Sequence, residues 1–592
     1  MSLASRSTPS LPGSPLGAWL GRLRLSQVGL VVCVGIVTWL VFVPLSALLL
    51  TAFTEDNIYG FGPPTFDNFV EAYSSWHILR LFGNSLLFAS GTAIAALIMG
   101  GIVAWVVERT NAPGRELFHS LALLSFAVPG LLTAMAWIFV LSPNIGWLNT
   151  GFKNYFGFSA APVNIYSMTG MIWALSSHYF PLAYLALGPA FRVLDVRMEE
   201  AGLVSGARYW QILWRVTFPL LRPAVLSALL LLFILGISSF EVPRLIGRPG
   251  RIDVFTTEIQ NATSGAPPSF GIASALSVTL LLICLAAIYF YRRATRNAEA
   301  FATITGKGYT PTRVQLGRWR WPVALGVGFM FLMALGLPLL TLVWQSFFRN
   351  LAPSVFAPNL PFTLDNFKFI LQYPIFISAV KTSVTLAAMS ATVVVILTFI
   401  MAWIAQRSAK RHGWLLDALA FLPIAIPSVI IGASVLFAYL IVPIPIYNTI
   451  WILLVAYVTS YLPYGMRFAS GGIAQIHKEL EEVAEVAGAR LYQIFFHILL
   501  PLLAPFLLAG WIYIFVLAVR ELGASIFLIG PGTHVLGTIS LTMWEEGGSY
   551  GAVSALGVIQ IIPLIFIVAG LRWLETRLQR RTQGGGSGVA RP

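Results

Sequence analysis

The stretch EEVAEVAGARLYQIFFHILLPLLAPF, residues Glu481–Phe506, places three glutamates within five residues and then Gly488 ahead of a proline-containing apolar run. An earlier stretch, EEAGLVSGARYWQILWRVTFPLLRPA at Glu199–Ala224, is nearly a copy of it. Acidic, glycine-broken segments of this kind stand out in a chain that is otherwise strongly apolar. Their repetition indicates that one structural unit occurs twice, and that the unit needs this loop.

The composition is that of a membrane protein. Of 592 residues, 57% are hydrophobic and only 10% are charged, and the mean hydropathy is +0.80. A water-exposed globule cannot bury so much apolar surface, so lipid must surround much of the chain. The net charge of +14 comes from basic residues scattered between apolar segments, which indicates a membrane-surface bias and no nucleic-acid partner. Cys33 and Cys284 both lie in apolar runs, so neither a disulfide framework nor a cysteine metal site is predicted.

Apolar runs long enough to cross a bilayer, about 20 residues each, occur at twelve places in the chain. The first is interpreted as a retained helix, because no small-residue cleavage site follows it at the distance a signal peptide requires. The predicted spans are 28–53, 79–107, 117–141, 165–191, 221–240, 270–291, 322–348, 376–405, 415–442, 449–470, 504–519 and 552–574.

The distribution of Lys and Arg predicts the orientation. With the N-terminus in the cytoplasm, the inner loops and tails hold 28 of the 37 basic residues and the outer loops hold the other 9. The positive-inside rule therefore favours cytoplasmic N- and C-termini, and it places both acidic loops in the cytoplasm.

Further matches extend the repeat along the chain. FDNF at Phe66–Phe69 recurs as LDNF at Leu364–Phe367, and SFGIASAL at Ser269–Leu276 recurs as SYGAVSAL at Ser549–Leu556. Shorter matches pair Trp105 with Trp403, Arg109 with Arg407, Val128-Pro129 with Ile426-Pro427, and Tyr179-Phe180-Pro181 with Tyr461-Leu462-Pro463. The predicted fold is an all-α integral membrane protein of two homologous six-helix halves, related by a pseudo-twofold along the membrane normal with a pore or cavity on that axis.

The predicted organisation follows from this repeat. A cytoplasmic tail at 1–27 precedes the first half at 28–300, and a basic cytoplasmic linker at 301–321 leads to the second half at 322–575. A flexible tail is expected at 576–592, where Gly and Ser are frequent.

The acidic loops, at 199–219 and 481–501, fall between the fourth and fifth spans of each half and share one spacing. Acids in a first helical turn are favoured by the helix dipole, the glycine permits a sharp turn, and the proline suits the start of the next membrane helix. Each loop is therefore predicted to form a short amphipathic helix across the cytoplasmic face. The residues in this pattern are Glu199, Glu200, Ala201, Gly206 and Pro219 in the first half, and Glu481, Glu482, Ala484, Gly488 and Pro501 in the second.

This pattern resembles the EAA loop of permease subunits of binding-protein-dependent ABC importers, and the fused layout resembles their iron(III) branch. The resemblance covers nearly the whole chain after residue 28. It implies a type I importer permease fold, whose loop helices dock on an ABC ATPase dimer and carry the movement of ATP binding into the membrane. Gly202 replaces the second Ala of the pattern in the first half, and Val483 replaces the first Ala in the second half.

The resemblance also implies an extracytoplasmic solute-binding protein and a bacterial inner-membrane location. No enzymatic activity and no cofactor are expected on this chain. A Walker A motif needs a hydroxyl residue after its lysine, and the nearest fragment, Gly306-Lys307-Gly308, lacks one. Ser470-Gly471-Gly472 superficially matches an ABC signature but has no ATPase domain around it. ATP and Mg²⁺ are therefore expected to be used by the separate ATPase.

Two other classes of membrane protein share some of these features. ERTNAPGRELF at Glu108–Phe118 is faintly similar to the basic loop motif of major-facilitator secondary transporters, which also have two parallel six-helix halves. That interpretation leaves the paired acidic loops unexplained. A channel or structural membrane protein does not explain them either.

Ionisable groups within a membrane are costly and by default suggest function. Glu241 and Glu521 each end the helix after the acidic loop, and Tyr179 and Tyr461 are matched phenols before matched prolines. Carboxylate and phenolate oxygens suit a hard ferric ion, so these four residues are candidates for the substrate path. The structural alternative is that Arg520 pairs with one acid and that the tyrosines anchor at the membrane interface.

The sequence is compatible with more than one class of cargo. SSFEVPRLIG and VRELGASIFLIGPG look most like segments of the iron(III) permeases. Thiamine, polyamine, sulfate and phosphonate importers share this architecture, and the resemblance implies that specificity lies chiefly in the binding protein. His178 has Ser460 as its counterpart, so no symmetric histidine site and no resident metal are predicted.

Overall fold

A computed structural model describes residues 15–56, 62–125, 128–193, 202, 204–295, 313–351, 361–408, 413–547 and 549–584. Within these ranges the chain is helical, and its only β-type pairings are two isolated bridges. The first half contains α1 (Pro15–Ala52), α2 (Asp67–Ser74), α3 (Trp76–Arg109), α4 (Arg115–Ser125), α5 (Gly130–Leu141), α6 (Trp147–Phe156), α7 (Met168–Val193), α8 (Tyr209–Ile212), α9 (Phe218–Ile237), α10 (Phe255–Ser264) and α11 (Phe270–Thr295). The second half contains α12 (Arg320–Phe331), α13 (Leu337–Ser346), α14 (Asp365–Gln372), α15 (Pro374–Trp403), α16 (Gly413–Phe421), α17 (Ser428–Ile441), α18 (Ile450–Ile473), α19 (Glu479–Val486), α20 (Leu491–Gln493), α21 (Leu500–Val519), α22 (Ser525–Leu528), α23 (Leu536–Glu545) and α24 (Tyr550–Gly584).

Eight helices in the described residues are long and apolar enough to cross a membrane, and the number rises to ten if each of two bent helix pairs counts as one span. The sequence predicted twelve. Helices α7 and α18 occupy the other two predicted places, at 165–191 and 449–470, but they are not among the ten. Polar side chains such as His178 and Arg467 make these two helices less apolar than the rest.

Two spans predicted as continuous helices are broken. Helices α4 and α5 meet at 105°, and α16 and α17, with the short 3-10 turn between them, meet at 103°. Pro129 and Pro427 are the residues immediately before α5 and α17, and both have extended ψ angles, of 140° and 141°. Proline excludes the helical conformation from the residue before it, so each of these matched prolines ends one helix and starts another.

Within each half, the DNF motif of the first outer loop contacts the later SFG or SYG motif. Asn68 donates to three carbonyls at and after the end of α1, at 2.7–3.3 Å, and Asn366 donates to two carbonyls at the end of α13, at 2.8 and 2.9 Å. These asparagines satisfy acceptors that the helix end leaves without intrahelical partners. A Cβ on Gly271 or Gly551 would overlap the asparagine of its own half. Close packing on the capping asparagine therefore explains the glycine of the SFG and SYG motifs.

The two halves interlock through their first helices. Helix α1 packs against α17 and α18 of the second half, and α13 packs against α5 of the first half. Trp39 donates through its indole N–H to the hydroxyl of Tyr439 at 3.0 Å, and Thr459 donates to the Leu40 carbonyl at 3.2 Å. One continuous apolar core, with buried side chains from both halves, results from this exchange.

The ends and the linker differ in detail from their predicted bounds. Helix α1 begins within the predicted tail, at Pro15, and α24 continues beyond residue 575 to Gly584. Most of the linker lies outside the described residues. Its end does not: Val314 forms a parallel bridge with Thr110, and the Asn111 N–H donates to the Val314 carbonyl at 3.2 Å.

Candidate functional site

The second acidic loop forms a short helix and a tight turn. Helix α19 carries Glu479, Glu481 and Glu482 in its first turn, where the helix dipole favours negative charge. Gly488 follows with φ at +84°, a left-handed conformation that glycine adopts without steric cost. The turn is closed by a hydrogen bond from the Ala489 N–H to the Ala484 carbonyl, at 2.9 Å.

The two adjacent acids of this loop have different environments. Glu481 is 4% exposed; its Oε2 accepts from the Trp403 indole N–H at 3.0 Å, and its Oε1 lies 3.1 Å from Arg407 Nε. Glu482 is exposed and pairs with Lys478 at 2.6 Å. Glu481 therefore anchors α19 to the membrane helices, whereas Glu482 faces solvent. Trp403 and Arg407 belong to the sequence repeat, but the sequence did not indicate their contact with this acid.

The solvent-exposed face of α19, the helix of the second loop, carries apolar side chains. Val483 is 68% exposed, Val486 is 90% exposed and Leu480 is 49% exposed. In the first loop the matching residue is Val204, two residues before Gly206, and it is also 90% exposed. Exposed aliphatic side chains on a water-facing helix are characteristic of a surface that another protein covers.

The described part of the first loop matches the second. Glu199, Glu200 and Ala201 lie outside the described residues, but Gly206 has φ at +82°, and the N–H after it donates to the Gly202 carbonyl at 3.0 Å. The Arg208 N–H donates to the Gln211 side chain at 2.9 Å, as the Arg490 N–H does to Gln493 at 2.7 Å. The two loops therefore share one turn geometry.

The loop prolines lie near the starts of their α-helices, each just after a π-helical turn. Pro219 and Pro501 lie in the first turns of α9 and α21, but each follows a π-helical turn, Leu213–Thr217 or Ile494–Leu499, that continues a helix already begun. A proline ring collides with the carbonyl four residues back in a regular helix, and the wider π turn relieves that collision.

The substrate-path candidates come together at the contact between the halves. Tyr461 donates to Glu521 Oε2 at 3.0 Å, and the Ala524 N–H donates to Oε1 at 3.1 Å. Arg520 and Glu521 act electrostatically on both Glu241 and Tyr179. Each candidate therefore lies within electrostatic range of Arg520 or Glu521, and we call these five residues, which come from both halves, the polar cluster.

The broken spans lead to this cluster. Glu241 Oε2 lies against Gly130, the first residue of α5, so closely that a Cβ on this glycine would overlap the carboxylate. In the second half Ser428 begins α17, and its hydroxyl occupies the space that a Cβ on Gly523 would need. Each helix that starts at a break thus points its N-terminal, partially positive end toward the acid of its own half. Transporters use discontinuous helices in this way at their binding sites.

More aromatic and polar residues lie at the polar cluster than the sequence predicted. Tyr457, Tyr461 and Tyr464 follow one another at the i, i+4 and i+7 positions of one helix face, a spacing that marks neighbours in the same stripe. Tyr461 is 4% exposed and bonded to an acid, so it is not an interface anchor. His178, without a counterpart, lies beside Gly130 and within electrostatic range of Arg520.

A second group of metal-ligating side chains lies outside this cluster. Donor atoms of His77, Asp253 and Glu258 lie within 4.8 Å of one another. His77 Nε2 and a Glu258 carboxylate oxygen are 3.8 Å apart at a partly exposed position, and exposed acidic groups are common without a metal. We therefore assign it no metal.

The sequence matches a known protein family in both halves. Residues 96–298 and 394–583 match the profile of the family described as "Binding-protein-dependent transport system inner membrane component". The chain is 25% identical over 547 residues to a ferric transport system permease protein, FbpB, of Actinobacillus pleuropneumoniae, covering 91% of this chain and 77% of that protein. It is 26% identical over 466 residues to a putative ferric transport system permease protein of Haemophilus influenzae, covering 78% and 72%.

Two further similarities cover about half of the chain. The putrescine transport system permease protein PotI of Escherichia coli is 29% identical over 265 residues, covering 43% of this chain and 89% of PotI. A solved bacterial ABC transporter that imports alginate aligns with 47% of this chain and 98% of its own, at 20% identity and a TM-score of 0.38.

Proposed function

Because this chain belongs to the family of binding-protein-dependent transport system inner membrane components, we propose that it forms the translocation path of an ATP-driven ferric-iron importer. In this proposal the two acidic loops couple the path to a separate ATPase dimer. The family membership removes the major-facilitator and channel alternatives. The observation that carries the coupling role is the buried contact of Glu481 with Trp403 and Arg407 under an exposed apolar helix face.

The anchor gives α19 a firm connection to two membrane helices. Trp403 is the last residue of α15, and Arg407 donates to the carbonyls of Ile473, at the end of α18, at 3.1 Å, and of Ile476. Displacement of α19 would therefore be passed to α15 through the Trp403–Glu481 hydrogen bond, and to α18 through the Glu481–Arg407 ion pair and the hydrogen bonds of Arg407. Such bonds are stronger than neutral ones and hold their geometry.

The ATPase, with its Mg²⁺ and ATP, is proposed to be a different chain on the cytoplasmic side. Support comes from the missing Walker A hydroxyl after Lys307 and from the excess of basic residues in the inner loops. An impermeant thiol reagent added to intact cells should fail to label Ser205→Cys and Ala487→Cys. Lys153→Cys, on an exposed outer position, should be labelled. Labelling of Ser205→Cys from outside would reverse the orientation.

Ferric ion is the proposed cargo, delivered by an extracytoplasmic binding protein. Support comes from the ferric transport relatives and from the polar cluster, where two carboxylates and several phenols converge. Hard oxygen donors of these kinds suit Fe³⁺. The similarity to PotI makes a polyamine the second candidate, because paired carboxylates also suit an organic cation.

Uptake by the reconstituted complex tests this proposal. The chain, its ATPase and its binding protein are placed in proteoliposomes, and entry of radioactive ferric ion is measured with and without ATP. We expect ATP-driven uptake that falls at least several-fold in Glu241→Gln and Glu521→Gln while assembly is retained. A binding protein that takes putrescine, thiamine or a phosphonate, and no ferric ion, would exclude iron as the cargo.

A further inference from the structure

An ion pair joins the two halves on the side opposite the acidic loops. Arg244 lies in the π turn Pro243–Gly247 of the first half, and Glu545 is the last residue of α23 in the second half. Arg244 Nε donates to Glu545 Oε1 at 2.6 Å, and Nη2 donates to Oε2 at 3.0 Å. This two-bond geometry is the strongest that a guanidinium and a carboxylate form.

The guanidinium is held inside the protein by its own half. Arg244 is 8% exposed, and its Nη1 donates to Gln260 Oε1 at 2.7 Å and to Asn261 Oδ1 at 3.4 Å. Residues of the first half therefore orient the Arg244 guanidinium, and the second half supplies its counter-charge, the Glu545 carboxylate. A desolvated guanidinium depends strongly on its counter-charge, so separating the halves here is costly unless another step offsets it.

Aromatic side chains reinforce the same contact. Phe139 of α5 lies 5.5 Å from the Trp544 ring and 5.8 Å from the Tyr550 ring, both of the second half. Trp544 is the residue before Glu545, so the ion pair and the aromatic contact belong to one surface between the halves.

The ion pair is not part of the internal repeat. The spacing that aligns Val254 with Val535 places Ser264 opposite Glu545, and the spacing that aligns the SFG and SYG motifs places Ala524 opposite Arg244. The capping asparagines and the loop turns occur twice, but this contact occurs once among the described residues. A general requirement of the six-helix fold therefore does not explain it.

We propose that Arg244 and Glu545 form a clasp that holds the extracytoplasmic side of the path closed and that opens when cargo is admitted. This inference rests on the proposed function, because it requires a path that opens alternately to the two sides. Glu241 lies three residues before Arg244 in the same segment, so release of the clasp frees the segment that carries one acid of the polar cluster. Arg244 and Glu545 touch no cargo and act as positioning residues.

Loss of one partner should uncouple ATP hydrolysis from transport. In Arg244→Gln or Glu545→Gln, the reconstituted complex should hydrolyse ATP several-fold faster than the unaltered complex in the absence of binding protein, and it should import less ferric ion per ATP. The exchanged double variant, Arg244→Glu with Glu545→Arg, should restore most of the dependence on binding protein. Dependence unchanged in the single variants, or an exchanged variant no better than they are, would overturn the clasp.

A matched control lies on the same side of the protein. Arg349 pairs with Asp365, but both belong to the second half and the arginine is 72% exposed. Arg349→Gln removes a pair of the same charges without joining or separating the halves. It should leave the ATP hydrolysis without binding protein unchanged; a rise equal to that of Arg244→Gln would also overturn the clasp.

A reversible cross-link tests the clasp directly. Arg244→Cys and Glu545→Cys are introduced into a variant in which Cys33 and Cys284 are replaced by alanine, and the two thiols are joined by a reducible bifunctional reagent. Uptake should stop on cross-linking and return on reduction. Unchanged uptake by the cross-linked protein would overturn the clasp while leaving the transport function intact. Absence of ATP-driven uptake in the unmodified complex would instead refute the proposed function.

Discussion

At the residue scale, the contact between Gly130 and Glu241 links a break in a helix to an acid that we propose lines the path. A Cβ at position 130 would overlap the carboxylate, so Gly130→Ala must displace Glu241 or shift α5. Overpacking of this kind costs about 1–3 kcal/mol. We expect Gly130→Ala to lower ferric uptake as much as Glu241→Gln does, measured in the same proteoliposomes.

The control for this prediction is another helical glycine of the first half. Gly151 has no atom within 4 Å of the position that a Cβ would take, so Gly151→Ala should import normally. Full uptake by Gly130→Ala would show that the position of the Glu241 carboxylate is unimportant for transport.

The candidate site could be predicted only in part from single residues. Glu241, Glu521, Tyr179 and Tyr461 were found because they are charged or phenolic in apolar surroundings and because each has a counterpart. The sequence predicts Arg520 only as a structural partner of one acid. The contacts that join these groups connect residues far apart in the chain, such as Tyr461 and Glu521, and no local pattern encodes them.

At the element scale, the adjacent acids of α19 have different roles: Glu481 attaches the helix to Trp403 and Arg407, whereas Glu482 is exposed. Glu481→Ala leaves the Arg407 guanidinium largely buried without its counter-charge, a loss of about 3–5 kcal/mol. Glu482→Ala removes the exposed pair with Lys478, worth about 0.2–1 kcal/mol. Co-purification of the ATPase should therefore fall sharply in Glu481→Ala and little in Glu482→Ala. Equal losses in the two variants would mean that the charge of the loop matters and its anchor does not.

The turn after α19 gives a prediction based on backbone conformation alone. Gly488 has φ at +84° and open space around its Cβ position, so side-chain volume is no obstacle there. A left-handed residue costs about 1–2 kcal/mol when it is not glycine, and Asn tolerates it better than other side chains do. Gly488→Val should reduce ATPase association and uptake, and Gly488→Asn should retain most of both. A Gly488→Asn variant as defective as Gly488→Val would indicate a steric role instead.

Helix lengths explain which elements the sequence predicted well. Long apolar runs marked α3, α15 and α21 correctly, since a bilayer-spanning helix needs little else. Hydropathy does not reveal the breaks before Gly130 and Ser428, because the segments on both sides of each proline are mostly apolar. Hydropathy records that a segment is in the membrane but not where it bends, and the matched prolines were the available signal.

At the scale of the whole molecule, the internal repeat correctly predicted two equivalent halves but not how they join. The repeat describes each half by itself, whereas the interlocked first helices and the Arg244–Glu545 contact lie between the halves. The contact is also asymmetric, so a comparison of one half with the other could not reveal it.

The interlocked helices predict that the linker is not needed to hold the molecule together. Fragments 1–304 and 305–592, produced in the same cell, should assemble and import ferric ion nearly as well as the intact chain. Helix α1 buries Val37, Val41 and Leu48 to within 1% exposure and bonds to α17 through Trp39, so removing it exposes an apolar face of the second half. Fragment 53–304, which lacks α1, should therefore fail to co-purify with 305–592. Equal recovery with 1–304 and 53–304 would show that the remaining contacts between the halves, and not the exchanged helix, hold them together.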